Sequence, residues 1–311
     1  MRGDGWLEAG ARARQRIDRG MKLARRAAIA ATWLLLIAGN APAAGTLTDE
    51  PASAQAPPAA TDNPRLWLLG EVHDNATHHA LRLDAFKALL AGGARPALLM
   101  EQFDRERQAD IDRIRAAQPA PDADALIAAA GGAKQWNWAF YRPFVQLALE
   151  YDLPLLAANV SRQDARGVMT QGLAASGFNA AVPPDIAQAH ALAIERSHCG
   201  QVDSATANRM AVAQVARDQF MAQLVEANAS RGVVLLAGNG HVRIDLGVPR
   251  WLSPSTRKQS AAIGYLESGD APEAAFDRVV VTPPQPREDP CAVLRLPASI
   301  PAASGGRSIQ E

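Results

Sequence analysis

The stretch "GEVHDNATHH" at residues 70–79 gathers a glutamate, an aspartate, an asparagine and three of the chain's six histidines into ten positions. Imidazoles and carboxylates at this density can bind a metal, move protons or line a pocket for a larger cofactor. A solvated polar loop would show the same composition. Asp74 or Asn75 can cap a following helix, leaving backbone N–H groups aimed at a mouth that attracts a carboxylate, a propionate or a phosphate. His78 and His79 fall in the first turn of that helix. Adjacent helical side chains diverge by about a quarter-turn, so one is expected to face the site and the other water, with neither a ligand.

Three more polar clusters matter because of what precedes them. Glu101-Gln102, Asn159 with Arg162, and Gly238-Asn239-Gly240-His241 each follow a short apolar run, as does the first stretch. The runs are "LWLLG" (66–70), "ALLME" (97–101), "LLAAN" (155–159) and "VVLLAG" (233–238), with "AIGYL" (262–266) and "RVVVT" (278–282) beyond them. Each is continuous rather than alternating, the pattern of strands buried on both faces of a parallel sheet. Parallel strands would bring all four clusters to one carboxyl edge, where ligand sites of open α/β sheets form. The glycines have a place there too. Gly70 and Gly238 end strands at sharp turns, and Gly240 can take dihedrals closed to other residues.

The elements that must carry these clusters define an α/β fold, a mostly parallel sheet flanked by helices. Between the first two strands, Ala80, Leu83, Phe86, Leu89 and Leu90 follow helical spacing and end at Gly92-Gly93. Residues 160–232 are too long for one crossover. They hold helices around 185–197 and 205–229, read as a smaller helical subdomain within one domain spanning 65–282. The seam Met210, Ala213, Phe220, Leu224 looks like core, interrupted by Arg217. That arginine either snorkels to water or reaches an anion such as Glu101 or a ligand carboxylate. His190 is read as a surface or packing residue.

A second concentration is "WNWAFYRPF" at 136–144, with five aromatics in nine positions of a chain only 5% aromatic. Core packing explains most of it. Tyr141-Arg142-Pro143 places Tyr141 just before a helix start, at a mouth rather than in a core. Its phenol can ligate ferric iron, and Trp136 and Phe140 can supply flat apolar walls.

Charge and leader bound the setting. The 311 residues carry 32 basic and 32 acidic side chains, a balance that gives no reason to expect a nucleic-acid partner. "MKLARRAAIAATWLLLIAGNAPAA" at 21–44 has the basic start, apolar run and small-residue end of a secretory signal peptide, with residues 1–20 an upstream extension. Asn40 stands where a lipoprotein would carry its lipid-bearing cysteine, so no lipid anchor is expected. The mature chain is expected to begin near Ala44 and to be periplasmic or otherwise exported, with a flexible lead-in at 45–64 and a Pro-rich tail at 283–311. An oxidising compartment makes a Cys199–Cys291 disulfide the expectation. The alternative makes His198-Cys199 a metal or haem ligand pair.

The chain resembles the ChaN-like haem-binding family, a branch of the Tiki superfamily. The resemblance rests on Gly70-Glu71-Val72-His73-Asp74-Asn75 with His78-His79, on Met100-Glu101-Gln102, Ala158-Asn159 and Arg217-Asp218, and on "LLAGNGHVRIDLGVPRWL" at 235–252. It implies a parallel sheet with a smaller helical part, haem as ligand, and bacterial haem or iron uptake or trafficking with envelope haem-transport components. It also implies tyrosine ligation between subunits, which Tyr141 matches through its "FY-x-P" context; because haem is large for a single sheet edge, a second copy of the chain, as a homodimer, is expected to help enclose it. His73, His241 and Arg162 are then expected to hold the propionates, with Glu71 and Asn239 in the same cofactor-binding set. The wider superfamily includes hydrolases with paired Gly-x-x-His motifs. The alternative is therefore a divalent-metal hydrolase of peptides or esters built on Gly70–His73 and Gly238–His241.

Overall fold

A computed structural model describes residues 65–117, 121–132, 134–269, 273–289 and 291–292. The leader and lead-in expected over 1–64, and most of the tail, lie outside the described residues. In chain order the elements are β1 (Leu66–Leu69), α1 (Ala76–Ala91), β2 (Ala97–Asp104), α2 (Gln108–Arg115), α3 (Ala123–Ala129), α4 (Trp138–Glu150) and β3 (Leu155–Asn159). There follow α5 (Arg162–Gln171), α6 (Pro184–Ser197), α7 (Ser204–Asn228), β4 (Val233–Leu236), α8 (Asn239–Val242), α9 (Pro254–Lys258), β5 (Ser260–Glu267) and β6 (Arg278–Thr282).

The six strands form one sheet in the order β3-β2-β4-β1-β5-β6, and every pairing is parallel. This is the α/β class that the apolar runs imply. β1, β2 and β4 are buried at almost every position, because helices cover both faces and leave no polar side. Trp67 and Leu69 of β1 pack toward Phe86 and Leu90 of α1 and Phe144 of α4. Leu66 and Leu68 point the other way, to Met221 and Val225 of α7. One strand thus serves two cores through its period of two.

Residues 160–232 hold α5, α6 and α7. The first half of α7 shares a small core with α6 through Ala191, Ile194, Ala207 and Ala211. Its second half belongs to the sheet's own core. The insertion is therefore continuous with the main domain through one 25-residue helix. The expected α7 seam is shifted: Ala213 is buried, but Ala211, Val215, Ala222 and Val225 do most of the packing while Met210, Phe220 and Leu224 are partly exposed.

In α1 the face turned inward is polar. Its buried residues are His78, His79, Arg82, Phe86 and Leu90, while Ala80 is exposed. Both histidines are thus inside, against the expectation that one would face water. The ion pair of Arg82 with the buried Glu71 and the hydrogen bonds of His78 and His79 replace apolar contact over the first part of this seam.

Candidate functional site

β3, β2, β4 and β1 are neighbours, so their carboxyl ends open on one mouth. A cavity of about 680 Å³ lies there, and His73, Glu101, Asn159, Arg162 and His241 all line it. All four sequence clusters therefore meet. The volume lies within the roughly 300–1,000 Å³ common for small-molecule sites.

Glu71 is the buried floor of the β1 side. Its side chain is fully shielded and does not line the cavity. Oε1 accepts hydrogen bonds from the Tyr141 hydroxyl at 2.5 Å and from His73 Nδ1 at 2.8 Å. Oε2 faces Arg82, which pairs with it directly, and His79 Nδ1 at 3.3 Å. Burial lowers the Arg82 guanidinium to about 10, against the pull of surrounding groups. His79 falls to about 4, mainly through burial, so it is neutral. It stacks on Phe140 at 4.4 Å and bonds the His73 carbonyl at 3.0 Å.

His73 itself is half exposed, with 51% of its side chain accessible. Its ring meets Trp136 edge-on at 4.9 Å. On another side lies Gly238, where an added Cβ would come within 2.9 Å of the imidazole Cε1. Gly70 is needed for a similar reason, since its Cβ would lie 2.2 Å from Asn239 Oδ1. Gly240 has open space around it and no left-handed φ, so the dihedral freedom expected of it is not used.

On the β2 and β4 side, Glu101 Oε2 accepts from the Gly238 N–H at 2.7 Å, and Oε1 lies 3.6 Å from His241 Nε2. His241 Nδ1 bonds Asp218 at 2.6 Å, and His190 approaches the same carboxylate at 3.2 Å. Burial would discharge His241, but Asp218 and Glu101 outweigh it and hold the imidazole above its usual value. Burial would raise Glu101, yet His241, His73, the Gly238 N–H and Arg217 together hold it low. His241 thus lies between two carboxylates that favour its charged form.

Arg217 reaches the site rather than water: its Nε donates to Asn159 Oδ1 at 3.2 Å, and it lines the cavity. Burial lowers its pKa, opposed by Glu101, Asp218 and Asp104 and reinforced by the neighbouring charge of Arg162. Arg162 opens α5, capped by Ser161, and among the described residues it forms no ion pair. Trp136 and Phe140 form the wall.

Three expected site residues have other places. Tyr141 is fully buried, because α4 begins at Trp138, capped by Asn137, and Pro143 sits inside the helix. The proline forfeits only one hydrogen bond there. Asn239 turns from the mouth, pairing with the Tyr265 backbone through Nδ2 at 2.6 Å and Oδ1 at 3.2 Å. Glu71 lies beneath the site. The α1 N-terminus is also committed: Asn75 caps it and Gln285 takes the Ala76 N–H. Asp74 instead pairs with Arg287.

Arg82, Gln214 and Gln285 were not anticipated. Arg82 carried a signal, standing four residues after His78 on the same helical face. The disulfide Cys199–Cys291 is present, which removes the His198-Cys199 ligand pair. Among the described residues no group of three His, Cys, Asp or Glu could hold a metal ion, so the divalent-metal alternative finds no cluster to rest on.

The solved structure of ChaN from Campylobacter jejuni, described as binding haem cofacially, superposes with a TM-score of 0.59 at 21% identity, covering 70% of this chain and 87% of that one. An erythromycin esterase variant in its open conformation reaches 0.39 at 12% identity, over 67% of this chain and 71% of that one. A succinoglycan biosynthesis protein reaches 0.39 at 12%, over 66% of each chain. Likenesses as slight as the last two say nothing of this chain's chemistry. None of the curated proteins compared matches it. The family described as haem-binding uptake, Tiki superfamily, ChaN, matches residues 59–252. By that match, over more than half of its length, the chain belongs to the ChaN haem-binding family of the Tiki superfamily.

Proposed function

We propose that this chain binds ferric haem in the carboxyl-edge cavity, without catalysis, as an exported component of haem uptake or trafficking. The observation that carries this reading is the pairing of wall and cations. Trp136 and Phe140 offer flat apolar surface, while Arg162 and Arg217 flank the same cavity. Haem needs both: a slot for the macrocycle and partners for two propionates.

The residues present fit that group. Arg162 has its guanidinium uncommitted among the described residues, and each arginine can meet a carboxylate through two parallel N–H donors. His241 is a weaker propionate partner than expected, because Asp218 and Glu101 already neutralise it. When bound, haem would supply iron for carriage. The chain's part is to hold and orient it.

A cavity about 680 Å³ in volume and open to solvent leaves part of a macrocycle uncovered, so a second copy of the chain is proposed to close over it. The signal-peptide-like pattern of the sequence at 21–44 and the disulfide favour an oxidising compartment outside the cytoplasm. Mass analysis of the envelope fraction should find an N-terminus near Ala44. Titration of purified protein with ferric haem, followed by absorbance, tests the main reading. Saturable binding is expected, weakened about tenfold or more in Arg162→Ala or Arg217→Ala, since a charged hydrogen bond contributes about 1.5–3 kcal/mol. A wild-type protein with no saturable spectral change contradicts it.

A further inference from the structure

We infer that His73, through Nε2, is the axial ligand of the bound iron, and that Glu71 and Arg82 position it from beneath. This rests on the haem reading above. It moves ligation away from Tyr141, the residue the family resemblance pointed to.

The tyrosines are poorly placed. Tyr141 is fully buried, and its hydroxyl donates to Glu71. Burial also pushes that phenol further from ionisation. Tyr265 is 4% exposed within β5. Tyr151 closes the far end of α4, with the Arg95 guanidinium over its ring. None of the three lines the cavity.

The histidines leave one candidate. His78 bonds the Val72 N–H and Thr282. His79 is buried, stacked on Phe140 and bonded through Nε2 to the His73 carbonyl. His190 and His241 share Asp218, and His198 bonds back to the Ile194 carbonyl at the end of α6. His73 alone combines an accessible ring, a place in the cavity lining and a nitrogen, Nε2, that makes no hydrogen bond among the described residues.

The surroundings of His73 are those of a prepared ligand. Its Nδ1 donates to a carboxylate 2.8 Å away, which fixes the tautomer so that the Nε2 lone pair faces outward. Glu71 is itself held by Arg82 and Tyr141, so it cannot swing with the ring. Trp136 on one side and the bare Gly238 backbone on another limit rotation. An imidazole polarised by a buried carboxylate is electron-rich and favours ferric over ferrous iron, as suits a carrier.

The test is a ferric haem titration of wild type, His73→Ala and Tyr141→Phe, read by absorbance and electron paramagnetic resonance, with added imidazole. The expected result is a changed spin state in His73→Ala, restored by imidazole, while Tyr141→Phe, which removes one support of Glu71, weakens binding but keeps the histidine-ligated type of spectrum. A His73→Ala complex with the wild-type spectrum overturns the ligand assignment while leaving haem binding intact. A spectrum lost in Tyr141→Phe overturns it equally. Absence of any saturable change in wild type removes the haem reading, and this assignment with it. A measurement on the unsubstituted chain guards against misfolded variants: labelling histidine with 15N should shift the iron–ligand vibration in resonance Raman, and an unshifted band overturns the proposal.

Discussion

Replacing Arg82 by methionine should destabilise the chain far more than an ordinary helix substitution. Arg82 and Glu71 are both fully buried and in direct contact. Of the groups that touch Glu71, Arg82 is the one permanent cation: His79 is held neutral near 4, Tyr141 is a neutral donor, and the His73 imidazole is half exposed to water. Methionine fills the volume of the arginine stem, so the cavity contribution is small. What remains is a carboxylate left buried without its cation, a change that costs about 3–5 kcal/mol. For a domain of this size each kcal/mol lowers Tm by about 2–4 °C, giving a drop of roughly 6–20 °C. Thermal unfolding followed by circular dichroism reads this directly. Adding Glu71→Gln should recover part of the loss, because the two groups are coupled and their effects do not add. A loss under about 1 kcal/mol, or strict additivity in the double variant, would refute the buried pair as the support for His73.

Gly238→Ala would place a Cβ 2.9 Å from the His73 ring. The half-exposed imidazole can swing away, so Tm should change little while the haem complex takes on the spectrum of His73→Ala. Mutating Cys199 and Cys291 to serine opens a link across 92 residues. Loss of about 4–5 kcal/mol is expected from chain entropy, read as a lower urea midpoint; an unchanged midpoint would contradict it. Glu267 is held at about 2, below its usual 4.5, chiefly by Arg287. Its folded pKa is depressed, so its stabilising contribution is full above about 4.5 and is lost as pH falls toward about 2. Tm measured across that window should fall less steeply in Arg287→Ala than in wild type.

The sheet was legible because strands buried on both faces must be apolar throughout, and six such runs stand out between helical stretches. The meeting of His73, Glu101, Asn159 and His241 was legible for a topological reason: parallel strands put every following residue at the same edge. What escaped was burial driven by charge. Periodicity finds an apolar face, yet α1 turns His78, His79 and Arg82 inward toward Glu71 and Thr282. Tyr141 was misplaced because Pro143 resembles a helix start, whereas Asn137 caps α4 six residues earlier. The role of Asn239 depends on β5 lying next to β1, a neighbourhood that chain order does not reveal. Gln285 enters the cavity only because the chain after β6 passes back over α1, bonding Ala76 on the way.

The most direct measurement is a crystal structure of the purified chain with ferric haem. The account predicts haem at the carboxyl edge of β1, β2, β3 and β4, with iron on His73 Nε2 and propionates at Arg162 and Arg217. Haem bound elsewhere on the chain, or iron held by a tyrosine oxygen, would contradict it.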